Sequence, residues 1–135
     1  VDGARPDVET ARRFGLRYVH LPISYDDVPV DRLQTMVQAV RQLPGPVYVH
    51  CHHGKHRGPA SAACLWRILN PAIREAMAVE AIRRMGTAEK YRGLYRAVAR
   101  PPAGTVPPRP ASDPFPETTP VAPLADAMVA IDQAW

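Results

Sequence analysis

Cysteine is scarce in this chain of 135 residues: there are two, Cys51 and Cys64, and neither has a second cysteine at zinc-ligand spacing. A disulfide framework and a structural zinc site are thereby excluded as organising features, and a reduced, cytoplasmic setting is expected. Long hydrophobic runs are missing as well. No stretch approaches the roughly twenty apolar residues of a membrane span, and no charged-then-apolar leader opens the chain. Nor is there a large excess of charge of one sign. Seventeen Lys and Arg against thirteen Asp and Glu give a formal net charge of +4, which suits an anionic ligand but falls short of the dense basic stripe of a nucleic-acid binder. There is no internal repeat, and the length suits one compact domain. What is abundant is proline, with sixteen residues.

The prolines divide the chain. Between Pro101 and Pro123 they recur every few residues, so neither a helix nor a central strand can persist, and a linker or a surface-draped segment is expected over 101–123. A catalytic domain is expected over 1–100 and a short C-terminal helix over 124–135. Within the first hundred residues, Pro6 to Phe14 followed by Gly15 reads as a short helix. Leu16 to Ile23 and Val47 to Val49 read as strands. From Asp31 to Leu43, the residues Leu33, Met36, Val37, Val40 and Leu43 recur at helical spacing before Pro44-Gly45-Pro46 stops them. Ala60 to Leu69 has helix-forming composition, Asn70-Pro71 can open a further helix running to Met85, and another helical stretch carries Tyr91, Leu94, Tyr95 and Val98. The expected fold is α/β, with a mainly parallel central sheet flanked by helices.

The second strand feeds into His50-Cys51-His52-His53-Gly54-Lys55-His56-Arg57-Gly58. A thiol nucleophile must be ionised near neutral pH, whereas a free cysteine has a pKa of about 8.5. A loop between a strand and a helix N-terminus can supply the stabilisation, because the amides of His52 through Gly58 could curl around one point and the helix adds its positive end. Gly54 and Gly58 allow close backbone approach. Arg57 lies six positions after Cys51, where its guanidinium fork could hold two phosphoryl oxygens. His50 suits an orienting role, while His52, His53, Lys55 and His56 would line the phosphate site. A competing reading takes His50, Cys51, His52, His53 and His56 as metal ligands, but neighbours on a tight loop point in different directions and rarely close a tetrahedral shell.

His-Cys-x5-Arg after a hydrophobic strand resembles the signature of the protein tyrosine and dual-specificity phosphatase superfamily, and His50, Cys51, Gly54 and Arg57 all match it. The likeness spans roughly Leu16 to Leu69. It implies a phosphoric monoester hydrolase without metal or cofactor, working through a phosphocysteine intermediate on a phosphorylated protein or a small anionic phosphate ester. Lys55 is similar to the lysine of the Gly-Lys-x-Arg loop in phosphoinositide phosphatases, which brings inositol phosphates into the substrate range. The family draws its general acid from an aspartate on a separate loop. Here Ser24-Tyr25-Asp26-Asp27-Val28-Pro29 offers two, with Asp26 favoured over Asp27. The chain departs from the family pattern at Gly58, where Ser or Thr usually follows the arginine. It also departs at its start, because further strands usually precede the segment equivalent to Asp2 to Gly15, so a sheet without its N-terminal strands and with an exposed edge is expected. A phosphatase-like module of weak or no activity that binds phosphorylated ligands is the alternative from the binding class.

Overall fold

The computed structural model describes residues 5–102, 104, 107–110, 112–121, 123, 127 and 131. Asp7 caps α1 (Val8–Arg13), its Oδ1 accepting the Thr10 amide at 2.9 Å, with Glu9 in the first turn and Arg12 and Arg13 in the last, as the helix dipole favours. Gly15 ends it at φ 70, and the amides of Gly15 and Leu16 return to the carbonyls of Arg12 and Ala11, each at 2.9 Å. Glycine enters this left-handed conformation without a Cβ penalty. α2 (Val30–Gln42) follows Pro29 and buries Leu33, Met36 and Val37. α3 (Arg57–Leu69) buries Gly58, Pro59, Ala60, Ser61, Ala63, Cys64 and Leu65. α4 (Glu75–Arg84) buries Ala78 and Ile82, and α5 (Arg92–Ala99) buries Gly93, Leu94, Ala97 and Val98.

α3 is the centre of the molecule. It packs against α2, α4 and α5, and the last two also pack on each other. Small residues along α3 permit this, since Ala60 and Ala63 let neighbouring helices approach while Leu65 and Cys64 fill the remaining space. Leu21, Ile23 and Val28, from extended chain and loop, complete the same core.

The expected α/β fold with a parallel central sheet is not what forms: the described residues hold five helices and no strand. Residues 16–23 and 47–50 take no regular secondary structure. Strand character depends on non-local pairing that a local apolar run cannot guarantee. The first of these segments turns instead to the proline-rich tail. The His20 amide donates to the Pro116 carbonyl at 2.7 Å, and the Thr119 hydroxyl donates to the His20 carbonyl at 2.6 Å. The second leaves Tyr48 85% exposed, beside an open groove of about 760 Å³ lined by Phe14, Leu16, Tyr18, Val47 and Tyr48.

Two further details differ from expectation or extend it. α4 begins at Glu75, not at Pro71, because Asn70 closes a turn: its side chain accepts the Ala72 amide at 3.1 Å and its carbonyl the Ile73 amide at 3.0 Å. The proline-rich segment lies along the body, with Gln38 donating to the Pro107 carbonyl at 2.8 Å and Arg12 paired with Glu117. The short helix expected over 124–135 falls, apart from Ala127 and Ile131, outside the described residues. Among those described, no helix is long and apolar enough to cross a membrane.

Candidate active site

Cys51 directly follows the irregular residues 47–50, and it is buried. A tight turn follows, in which the Gly54 amide returns to the Cys51 carbonyl at 3.2 Å with Gly54 at φ 70. The loop closes at Arg57, the first residue of α3. Gly58 shows how closely it closes: a Cβ at this position would sit 3.1 Å from the Cys51 nitrogen, 3.2 Å from the His50 carbonyl carbon and 3.4 Å from Cys51 Sγ. The first turn of α3 therefore packs directly on the thiol. The positive end of the helix and the thiol share one place.

Elements further along the chain hold the loop from outside. The Thr87 hydroxyl, buried just after α4, donates to the Lys55 carbonyl at 2.8 Å, and the Thr87 carbonyl in turn accepts the Tyr95 hydroxyl at 2.6 Å. The Ala88 amide donates to His56 Nδ1 at 3.3 Å. That bond needs an unprotonated nitrogen, and the surroundings favour one: burial first, then the charges of His53, Lys55, Lys90 and Arg57, hold His56 below its usual pKa. Thr87 itself is placed by the end of α4, where Gly86 at φ 88 sends its amide to Arg83 and the Thr87 amide goes to Ile82, each at 3.0 Å.

His50 Nε2 meets the Tyr18 hydroxyl at 2.7 Å and its ring stacks on Tyr48, while His52 and His53 meet edge to face at 4.7 Å. Among the described residues, no three His, Cys, Asp or Glu side chains are grouped to hold a metal ion.

Arg57 leans over the Tyr25 ring, its Cζ 4.7 Å from the centroid, so the loop carrying both aspartates lies against the start of α3. The two acids differ in their surroundings. Asp27 Oδ1 accepts Arg100 Nη2 at 2.6 Å and the Val28 amide at 2.8 Å. Asp26 is exposed, and its carboxylate makes no hydrogen bond or ion pair among the described residues, although its amide donates to Ser24 Oγ at 3.1 Å. Sequence reasoning left out Tyr18, Thr87, Tyr91 and Arg100 as supports of the site. The Gly86-Thr87 pair was visible only as a helix stop, and nothing local ties Arg100 to an acid so far upstream. Scans of family models, of curated proteins and of solved structures found no match for this chain.

Proposed function

We propose that this chain is a cysteine-dependent phosphatase that hydrolyses phosphate monoesters through a phosphocysteine intermediate. The observation that carries the reading is the closure of α3 onto Cys51 through Gly58, since it brings the thiol, the loop amides and Arg57 to one end of one helix. Cys51 Sγ attacks phosphorus and the bond to the leaving oxygen breaks, while amides of the His52–Gly58 loop other than that of Gly54, which is bonded to the Cys51 carbonyl, and the Arg57 fork take up the charge on the phosphoryl oxygens. Asp26 gives its proton to the leaving oxygen. In the second step the same carboxylate takes a proton from water, whose oxygen bonds to phosphorus as the sulfur–phosphorus bond breaks, returning the thiolate and free phosphate. The ion pair of Asp27 with Arg100 supports Asp26 as the acid, because a carboxylate held by an arginine is not free to reach a leaving oxygen, whereas that of Asp26 is exposed.

The substrate class is phosphotyrosine, phosphoserine or phosphothreonine in a protein, or a small anionic ester such as an inositol phosphate. Lys55, His53 and Lys90, whose charges all act on His56, give the site the positive surroundings such esters need. The chemistry requires no cofactor but does require a reduced thiol, which fits a cytoplasmic setting. A second reading, a module that binds phosphorylated ligands with little turnover, is favoured by one feature. Gly58 offers no hydroxyl beside Cys51, and the tight space there resists adding one.

The test is phosphate release from an aryl phosphate by the wild-type protein, Cys51→Ser and Asp26→Ala, with and without a chelator. The enzyme reading expects chelator-resistant turnover that Cys51→Ser abolishes, and a phosphorylated Cys51 after rapid acid quenching. Phosphate binding with no turnover would shift the function to the binding module. Activity lost on chelation would sink both.

A further inference from the structure

We infer that α5 is the platform that fixes the acid-bearing loop, with Gly93 as its positioning residue. This rests on Asp26 as the general acid, and it concerns what holds that acid in place. Gly93 lies in the first turn of α5 and is buried, with no unusual φ. A glycine is needed there for a different reason. A Cβ on Gly93 would fall 1.8 Å from the Asp26 carbonyl oxygen, 2.2 Å from its carbonyl carbon and 2.5 Å from its Cα. All three atoms are backbone, so no side-chain rotation relieves the clash. A methyl group at Gly93 must push the Asp26 backbone outward by about 1.2 Å to reach the 3.0 Å that real Cβ contacts respect.

The rest of α5 grips the same loop at two more points. Tyr91, the residue before its first turn, stacks on Tyr25 with centroids 4.4 Å apart and ring planes 23° apart. Arg100, the residue after its last turn, donates to Asp27 Oδ1 and, at 3.5 Å, to the Val28 carbonyl. Val28 itself is fully buried. Asp26 is the exposed residue between these anchors, and its carboxylate is left to reach a ligand while its backbone is fixed. Arg57 sits over Tyr25, so the α5 platform also sets the distance between the acid and the phosphate clamp. A displacement of about 1 Å at such a group costs roughly 100-fold in rate.

The experiment compares p-nitrophenyl phosphate, whose phenolate leaves with little help, with phenyl phosphate, whose leaving oxygen needs the proton. Gly93→Ala, Asp26→Asn and the double variant are assayed beside the wild type, with circular dichroism and thermal melting to confirm folding. Gly93→Ala is expected to lower kcat/KM for phenyl phosphate by about 10- to 100-fold while p-nitrophenyl phosphate falls less than about 3-fold. The double variant is expected to be no slower on phenyl phosphate than Asp26→Asn alone. Should Gly93→Ala fail to fold, Tyr91→Leu must show the same selective loss and Tyr91→Phe, which keeps the ring stack, must restore activity. A folded Gly93→Ala that loses both substrates equally, or neither, overturns the platform while a selective Asp26→Asn effect leaves the acid standing. An Asp26→Asn variant with no leaving-group selectivity overturns the acid assignment and the platform with it.

Discussion

Ser61 lies one turn into α3, fully buried, and its hydroxyl has no hydrogen-bond partner among the described residues. Replacing it by alanine removes a desolvated hydroxyl that costs about 1–3 kcal/mol when unsatisfied. It also improves helix propensity by about 0.5 kcal/mol. Against this stands the space of one oxygen atom, worth about 1 kcal/mol at most for a void smaller than a methylene. The net expectation is a stabilisation of about 0.5–2.5 kcal/mol, or about 2–10 °C in Tm for a domain of this size. Urea titration followed by circular dichroism measures it, with an unchanged m-value showing that the shift is in stability and not in the denatured state. The same variant decides whether Ser61 replaces the hydroxyl that Gly58 lacks. Unchanged hydrolysis of the phosphocysteine excludes that role, whereas a slower second step with lower stability would refute the claim that the Ser61 hydroxyl is unused.

Burial pushes the Cys64 thiol up to about 12, so Cys64 is expected to resist iodoacetamide in the folded protein at about pH 8. Mass mapping of the label checks this. Above about pH 9 the unfolded chain ionises Cys64 and the folded chain does not, so stability falls with rising pH by at most about 1.4 kcal/mol per unit from this group. Cys64→Ala should remove that share of the alkaline loss, and an identical alkaline slope would contradict it. His56 titrates with the opposite sense. Its folded pKa is held below the ordinary value near 6.5, so the unfolded chain takes the proton first and stability declines as pH drops below about 6.5. His56→Asn, which keeps an acceptor for the Ala88 amide, should flatten that decline in acid denaturation curves. Thr87→Val removes the hydroxyl bond to the Lys55 carbonyl at nearly constant volume, and a loss of about 1 kcal/mol with weaker phosphate binding is expected. Equilibrium unfolding with no change in midpoint would show the bond to be dispensable.

The helices were legible in the sequence, whereas the expected parallel sheet does not form among the described residues, for a physical reason. Leu33, Met36 and Val37 repeat at a spacing that only a helix can bury on one side, and Gly15 and Gly86 mark stops that local sterics enforce. Leu16 to Ile23 and Val47 to Val49 carry strand-favouring residues, but whether they pair is decided by distant backbone. Here His20 bonds to Pro116 and Thr119, nearly a hundred residues away. The order Cys51, turn, Arg57, α3 was likewise legible because it spans a few residues. The supports were not: Thr87, Tyr91, Gly93 and Arg100 act on residues more than thirty positions upstream, and no period or spacing announces such a contact.

With no sheet among the described residues, something other than a strand ladder must position the thiol. Gly58 supplies part of the answer, since a backbone this close to Cys51 fixes the thiol against the first turn of α3. α3 is in turn held by α4 and α5. The same two helices reach the loop through Thr87 at the end of one and reach the aspartate loop through Gly93 in the other. Cys51, Arg57 and Asp26, the proposed acid, are thus all referred to one packed unit of three helices. An error in the packing of α5 should then damage the chemistry before it damages the fold, because the Tyr25–Val28 loop is held by Tyr91 and Arg100, the residues at the two ends of α5.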